Sequence, residues 1–185
     1  MSEPATATRV EDDGPLVERA LGGDERALDA LVSRHHAAVY QATYRVLGDP
    51  DRAADAAQDT FVKALGALAG FRGDASFRTW LLRIATNTAR SAGRKATRRR
   101  EVALDPASGW QADAPGPERQ AVLKTEAARV EAAIAELPEK QRLAVTFRLQ
   151  QALSYREIAD IIGSTEGTVR VNYHLGIRRV RERLT

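Results

Sequence analysis

The chain has 185 residues, a formal net charge of +3, a sequence pI of about 9.5 and no cysteine. Without cysteine it can form neither a disulfide framework nor a thiolate metal site. No apolar run approaches the length of a membrane span, and the acidic N-terminal segment does not have the pattern of a signal peptide. We therefore expect a cytoplasmic protein without membrane insertion, long enough for two small domains.

The charge is unevenly distributed along the chain. Residues 1–29 carry eight acidic residues and three Arg, a balance of −5, whereas residues 72–100 carry nine Arg or Lys and one Asp, a balance of +8. A solvated helix normally mixes both signs along its surface. The concentration of cations in residues 72–100 therefore indicates a segment that meets a polyanion.

The first helices are predicted from caps and apolar spacing. Residues 1–13 are acidic and patternless, which predicts a disordered tail. A short helix follows at residues 15–21, and Asp24 is placed to cap the next one. The apolar stripe of that helix includes His35, which we interpret as a histidine at the edge of the core. A metal site is disfavoured because the adjacent His36 points about 100° away and no third histidine is clustered with them.

A turn at residues 48–50 precedes the next helix, with Pro50 at its first position. One face of this helix is apolar and predicted to be buried: Ala57, Phe61, Ala64, Leu65 and Leu68. A second face, also at helical spacing, is mostly polar: Asp55, Gln58, Asp59 and Val62. By itself such a stripe is typical of a solvated helix face.

Residues 71–76 predict a loop that leads into a long amphipathic helix starting near Phe77. Three- and four-residue steps define the face that we expect to be buried: Phe77, Trp80, Leu81, Ile84, Ala85, Thr88 and Ala89. The opposite face carries cations and polar groups with almost no carboxylates: Thr79, Arg83, Thr86, Asn87, Arg90 and Arg94.

The composition changes after Arg100. Residues 105–117 contain three Pro and two Gly, which predicts a flexible linker. Helices are expected to resume near Glu118 and again after Pro138. Because no strand-type alternation occurs, we predict an all-α chain. Its two small helical domains, at 14–103 and 119–185, are joined by a linker at 104–118.

The last part of the second domain has the pattern of a helix-turn-helix. Ser154 and Glu157 are spaced as a capping box that opens a short helix. Gly163 supplies the turn, and Ser164 or Thr165 caps a longer final helix. Several exposed residues of that helix could donate hydrogen bonds to bases or phosphates: Thr168, Arg170, Asn172, His174, Arg178, Arg179, Arg181 and Arg183.

In this order and spacing, these motifs resemble bacterial sigma factors of the extracytoplasmic-function (ECF) type, in the sigma-70 family. The resemblance extends from about Leu16 to Leu184. Residues 55–61 resemble the region 2 helix that docks on core RNA polymerase, and residues 71–87 resemble the segment that recognises and melts the −10 element. Residues 137–142, 153–159 and 167–170 resemble region 4, although residues 171–176 depart from the basic pattern common in the family's recognition helix.

The resemblance implies the partners: the clamp coiled coil and the flap of core RNA polymerase, promoter DNA, and an anti-sigma factor. It implies no catalytic residue, cofactor or metal. The implied polymerase-binding residues are Asp55, Gln58, Asp59 and Val62. The implied −10 residues are Phe71, Arg72, Gly73, Asp74, Ser76, Arg83, Asn87, Arg90 and Arg94. The implied −35 residues are Thr165, Thr168, Arg170, Val171, Asn172, His174 and Arg178.

A second hypothesis is a stand-alone helix-turn-helix regulator that binds an operator as a dimer. This hypothesis assigns no function to the basic segment at 71–100 or to the stripe at 55–62. An enzyme is not expected, because the sequence contains no nucleophile–base pair, metal cluster or Gly-rich phosphate loop.

Overall fold

The computed structural model describes the backbone of residues 12–102 and 125–185, together with all side chains in those ranges except those of residues 99–102. All regular elements in these ranges are helices, which confirms the predicted all-α class. No helix in the described ranges is both long and apolar enough to cross a membrane. The predicted linker at 104–118 lies outside the described residues, as does most of the predicted tail.

The first bundle consists of α1 (Gly14–Leu21), α2 (Glu25–Leu47), α3 (Pro50–Ala67) and α4 (Phe77–Val102), with a 3-10 turn (Leu68–Gly70) after α3. Helices α2, α3 and α4 pack against one another, and α1 packs on α2. Asp24 caps α2 as predicted, because its carboxylate accepts hydrogen bonds from the backbone N–H groups of Arg26 and Ala27.

The second bundle consists of α5 (Glu126–Ala135), α6 (Glu139–Leu149), α7 (Tyr155–Ile162) and α8 (Glu166–Leu184). Helix α8 packs against the other three. The predicted capping box is present at the start of α7, where Ser154 and Glu157 each accept a hydrogen bond from the other's backbone N–H. Thr165 caps α8, accepting from the N–H of Thr168 at 3.3 Å.

Helix α3 lies close to its neighbours because its buried face is made largely of small side chains. The buried alanines are Ala53, Ala56, Ala57 and Ala64. Our prediction that Phe61 and Leu65 are buried was wrong: Phe61 is half-buried and Leu65 is 38% exposed. A face of alanines lets two helix backbones approach, and the larger side chains then lie at the edge of the contact.

Helix α4 is covered on more sides than the sequence predicts. Thr79 and Thr86, expected on the solvent face, are both buried. The reason is that α4 packs against α7 of the second bundle as well as against α2 and α3. Buried hydroxyls need partners, and Thr86 Oγ1 donates to the Leu82 carbonyl at 2.9 Å.

Asp13, which we assigned to the tail, is buried at the start of α1. Its two carboxylate oxygens contact α2: Oδ1 accepts from Arg34 at 2.8 Å, and Oδ2 lies 2.9 Å from His35 Nε2. The His35 ring also lies 5.4 Å from the Phe77 ring, measured between centroids. His35 is thus a core residue, as predicted, and no set of three or more His, Asp or Glu side chains among the described residues could hold a metal ion.

The two bundles contact each other along two lines, α4 with α7 and α2 with α6. A single cluster of buried apolar residues extends through both bundles. It includes Leu82 and Ala85 of α4 together with Phe147 of α6 and Ile158 of α7. The described parts of the chain therefore pack as one body with a shared core.

Candidate nucleic-acid interface and docking face

The mostly polar stripe of α3 faces solvent. Asp55, Gln58, Asp59 and Val62 are all exposed and lie opposite the alanines that pack against α2 and α4. Val62 is 67% exposed, although it is a large apolar residue. Leu65, three residues further on, extends this apolar patch. An exposed apolar patch next to polar side chains, here Asp55, Gln58 and Asp59 on its N-terminal side, is typical of a protein–protein contact.

The loop before α4 is held by an aromatic cluster. The Phe71 ring lies 5.3 Å from the Trp80 ring and 5.8 Å from the Phe77 ring, centroid to centroid. Gly73 adopts φ 76°, a left-handed conformation that other residues rarely adopt. Ser76 caps α4, because its hydroxyl accepts from the N–H of Thr79 at 3.1 Å. Asp74 lies exposed at the tip of the loop.

A cavity of about 350 Å³ opens beside this loop. Residues 70–75 form one wall, and Thr79, Trp80 and Arg83 of α4 form another. Asp160 of α7 also lines the cavity, so the second bundle contributes a carboxylate to it. The cavity thus combines backbone groups, an aromatic ring, a cation and an acid.

The cationic face of α4 is only partly available. Arg83, Asn87 and Arg94 are exposed. Arg90 is half-buried because it is engaged by the second bundle: its Nε donates to Glu139 at 2.8 Å and its NH1 donates to the Ile162 carbonyl at 3.1 Å. Of the four α4 residues predicted to bind the −10 element, three are thus at the surface and the fourth, Arg90, is engaged in a contact within the chain.

The helix-turn-helix is formed by α7, the turn at Gly163 and α8. Gly163 adopts φ 68°, and the fully buried Ile158 and Val169 hold the two helices together. Four of the predicted residues share one exposed face at helical spacing: Thr165, Thr168, Val171 and Arg178. The exposed His174 lies beside this face, with its ring 5.4 Å from that of Tyr173.

Arg170 and Asn172, two further predicted residues of α8, are engaged in contacts within the second bundle. Arg170 donates to Glu166 at 2.9 Å, and its guanidinium lies 5.0 Å from the centroid of the Tyr155 ring. Asn172 donates back to the Thr168 carbonyl at 2.9 Å. The guanidinium of Arg148 lies on the same tyrosine ring at 5.1 Å. Sequence reasoning missed Arg148, because only the fold brings the end of α6 next to the start of α7.

Comparisons with known proteins identify the family of this chain. Residues 31–99 match the family model Sigma-70 region 2, and residues 127–180 match Sigma-70, region 4. The RNA polymerase sigma-H factor of Pseudomonas aeruginosa is 39% identical over 168 residues, which cover 86% of this chain and 87% of that protein. The ECF RNA polymerase sigma-E factor of Escherichia coli K12 is 37% identical over 174 residues, covering 85% and 86% respectively. The chain belongs to the ECF type of the sigma-70 family.

A solved structure gives the same fold for a related chain. CnrH, solved in complex with the cytosolic domain of CnrY, superposes with a TM-score of 0.67 at 25% identity, covering 93% of this chain and 96% of CnrH. In sigma-factor terms, the stripe of α3, the loop at 71–76 and the cationic face of α4 lie in region 2. The helix-turn-helix lies in region 4.

Residues 171–176 of this sigma factor depart from the basic pattern common in the family's recognition helix. The fold explains that difference at one position. Gly176 is buried where α8 crosses α6. A Cβ atom placed on Gly176 would lie 2.7 Å from Val145 Cγ2 and 3.4 Å from the Gln141 carbonyl. Packing therefore demands glycine at this position, whereas Val171, Asn172 and His174 remain at or near the surface.

Proposed function

We propose that this sigma factor uses three separate surfaces of the chain to start transcription in the cytoplasm. Region 2 binds the clamp coiled coil of core RNA polymerase through Asp55, Gln58, Asp59 and Val62, and region 4 binds the flap. The observation that carries this proposal is the exposure of the α3 stripe, in which the apolar Val62 and Leu65 follow the carboxylates of Asp55 and Asp59 along the helix. Protein interfaces commonly combine an apolar part with polar residues at its edge.

The −10 element is bound by the loop and by the cationic face of α4. The cavity beside the loop supplies what an unstacked base needs, namely an aromatic wall, polar groups and a nearby cation. Arg72, Arg83, Asn87, Arg90 and Arg94 contact the flanking phosphates. Unstacking a base costs a few kcal/mol and stacking contacts return about 1–3 kcal/mol per base, so these contacts decide whether opening is favourable.

The −35 element is bound in the major groove by the start of α8. Recognition helices of this motif contact base edges with their N-terminal residues. Thr168, Arg170, Asn172 and His174 can all form hydrogen bonds to bases or phosphates, and Val171 offers an apolar contact to a thymine methyl group. Thr165 and Arg178 lie at the two ends of this face, where they contact the backbone.

An anti-sigma factor is a further partner under this proposal. The related CnrH was solved in complex with the cytosolic domain of another protein, CnrY. A protein that occupies either the α3 stripe or the contact between the bundles would compete with core polymerase.

Transcription in vitro with core enzyme and genomic DNA fragments tests the proposed function. Specific transcripts should start only when this protein is added to core polymerase, and the protein without core should protect none of the same promoters. A stand-alone regulator would instead protect its operator without core polymerase and would start no new transcript. Either of these two results would overturn the proposal.

A further inference from the structure

Arg170, one of the proposed −35 residues, is held by two contacts within region 4. Its guanidinium donates to the Glu166 carboxylate at 2.9 Å, one turn earlier on α8. It also lies 5.0 Å from the centroid of the Tyr155 ring, which belongs to α7. A free arginine side chain loses rotamer entropy when it binds a base, and contacts that restrict it beforehand reduce that cost. The carboxylate belongs to the same helix as Arg170, whereas the ring relates the guanidinium to the other helix of the motif.

The Tyr155 ring is fixed by its own neighbours. It is half-buried and packs against the shared core. The Tyr173 ring lies 5.7 Å away, centroid to centroid, at an interplanar angle of 62°, an edge-to-face arrangement that favours one relative orientation of the two rings. Arg170 and Tyr173 are three residues apart on α8 and therefore lie on the same side of that helix. Two neighbouring side chains of α8 thus contact one ring of α7.

The turn before α7 places this ring. Among the described residues other than glycine, Ala152 alone has a positive φ, 54°. This left-handed conformation is unfavourable for a residue with a Cβ atom, so the surrounding contacts must maintain it. The Leu153 carbonyl accepts from Arg148 at 2.9 Å, and the Arg148 guanidinium lies 5.1 Å from the centroid of the Tyr155 ring. The end of α6, the turn and the ring are therefore held together.

These contacts orient Arg170 without covering it. The side chain of Arg170 is 56% exposed, and the adjacent Val171 is 58% exposed. The backbone at this point is fixed, because the preceding Val169 is fully buried in the core cluster that includes Ile158 of α7. The guanidinium can therefore reach a base edge from a defined starting position.

The start of α8 has a single cation on which this orientation acts. Arg170 is the only Arg or Lys in residues 166–177, and the next one, Arg178, lies about 12 Å further along the helix. The stretch between them carries Tyr173 and His174, whose rings lie 5.4 Å apart. One cation gives little general attraction to phosphates, so recognition by this part of α8 depends on the orientation of Arg170.

We propose that Tyr155 is a positioning residue for −35 recognition: its ring, held by Tyr173, orients the Arg170 guanidinium toward one base pair in the major groove. This inference rests on the proposed function, because it takes Arg170 to be a −35 contact. A guanidinium that pairs with guanine must meet two acceptors in one plane, whereas a phosphate accepts it from many directions. Loss of the ring should therefore lower the preference for one base more than it lowers overall affinity.

The test uses holoenzyme and a promoter recovered by transcription of genomic fragments, with each position of its −35 element randomised in turn. Sequencing of the bound fragments gives the base preference at each position, and Arg170→Ala identifies the position that Arg170 contacts. At that position Tyr155→Leu should reduce the preference about two- to fivefold, the range expected for loss of a cation–π contact. Tyr155→Phe keeps the ring and should retain the wild-type preference. Tyr44→Leu makes the same change on α2 and should leave the preference unchanged.

A second variant acts through the neighbouring ring. Tyr173→Leu removes the edge contact and leaves Tyr155 and Arg170 in place, so it should reduce the same base preference by a smaller factor. Circular dichroism shows whether each variant is folded at the assay temperature, and if Tyr155→Leu does not fold, the result for Tyr173→Leu decides. The double variant Tyr155→Leu with Arg170→Ala should have the preference of Arg170→Ala alone, because the ring acts through the guanidinium.

A merely structural role of Tyr155 predicts a different pattern. Tyr155→Leu would then weaken binding to all −35 sequences by the same factor and leave the base preference unchanged, which would overturn the inference. The salt dependence of binding gives a further check, since Tyr155→Leu removes no proposed phosphate contact and should keep the wild-type slope.

Arg170→Ala distinguishes failure of this inference from failure of the proposed function. A changed preference in Arg170→Ala, combined with an unchanged preference in Tyr155→Leu and Tyr173→Leu, would remove only the positioning role. Uniformly weaker binding by Arg170→Ala would also overturn the inference, because Arg170 would then contact only phosphate. Unchanged preference and affinity in Arg170→Ala would remove the −35 assignment of Arg170 itself.

Discussion

Gly176 of α8 lies so close to Val145 of α6 that no side chain fits between the two helices. The contact orients α8 on the bundle and therefore sets the direction in which the proposed recognition residues point. A glycine inside a helix normally costs about 1 kcal/mol relative to alanine. At this position the close approach of the helices outweighs that cost.

Gly176→Ala should therefore destabilise the protein by roughly 1–3 kcal/mol, the usual cost of forcing an extra carbon into a packed contact. Urea denaturation followed by circular dichroism measures the change. Gly167→Ala is the matched control, since it lies in the same helix and a Cβ there meets no atom within 4 Å. The control should be neutral or slightly stabilising. Equal stability of the two variants would show that α6 can shift to accommodate the added Cβ atom at position 176.

The acidic stripe on α3 gives the second prediction. Asp59→Arg should abolish co-purification with core polymerase, because it places a cation in an interface that we propose accepts carboxylates. Its helical content and thermal midpoint should stay near those of the wild type, since Asp59 is exposed. Asp29→Arg makes the same charge reversal on α2 and should bind core normally. If Asp59→Arg co-purified at the wild-type level, the stripe would be an ordinary solvated surface.

The third prediction concerns pH. Burial lowers the pKa of His35 below its ordinary value of about 6.5, an effect only partly offset by the nearby Asp13 carboxylate and reinforced by Arg78 and Arg34. The unfolded chain therefore binds the histidine proton more readily than the folded chain. Stability should be highest above about pH 6.5 and should fall as the pH drops through the lower, folded value.

His35→Gln removes the titrating group and keeps a donor for Asp13. In urea denaturation at a series of pH values, this variant should lose the part of the pH dependence that begins below about pH 6.5. His36→Gln alters the exposed neighbour and serves as the control. If His35→Gln kept the wild-type pH dependence of stability and His36→Gln lost it, the dependence would not come from His35.

The fourth prediction concerns region 4. Arg170→Ala should cost roughly 1–3 kcal/mol of −35 binding by holoenzyme and relax the preference at one base pair, if the guanidinium pairs with a guanine. If it contacts only phosphate, binding should weaken equally for all sequences and depend less steeply on salt. Tyr155→Phe keeps the ring beneath Arg170 and should bind normally. Unchanged affinity, preference and salt slope in Arg170→Ala would mean that α8 faces elsewhere.

Local signals in the sequence were sufficient for several helix caps and for the turn of the helix-turn-helix. Asp24, Ser154 and Thr165 each cap the helix that their chemistry and spacing indicate, and Gly163 forms the predicted turn. These features depend on residues within a few positions of each other. Hydrophobic periodicity likewise placed the buried side of α4 correctly at Phe77, Leu81, Ala85 and Ala89.

Two of the errors share one cause, which is contact between distant parts of the chain. Periodicity assigns one buried and one exposed face to a helix, whereas Thr79 of α4 is covered by a bundle more than 70 residues away in sequence. Arg90 is likewise engaged by residues 49 and 72 positions later. Leu65 is exposed because neighbouring alanines, rather than the largest residue, set the distance between helices.

The last prediction separates two roles of the loop before α4. Asp74 is exposed at the tip, whereas the hydroxyl of Ser76 is used to cap α4. Asp74→Ala should slow opening of the −10 element and leave binding to duplex promoter unchanged, since it removes a polar group from the wall of the proposed base pocket. A fluorescent base analogue in the non-template strand, monitored with holoenzyme, measures the opening rate.

Ser76→Ala should behave differently, because loss of an N-cap costs about 1 kcal/mol of stability. Ser76→Asp keeps an oxygen that can accept from the N–H of Thr79 and should restore that stability, while its negative charge should still hinder the nearby strand. Slow opening in Asp74→Ala and Ser76→Asp at wild-type stability would mean that the loop acts on the DNA. Opening rates that track stability across all three variants would mean that the loop only starts the helix, and the base pocket would have to be sought elsewhere.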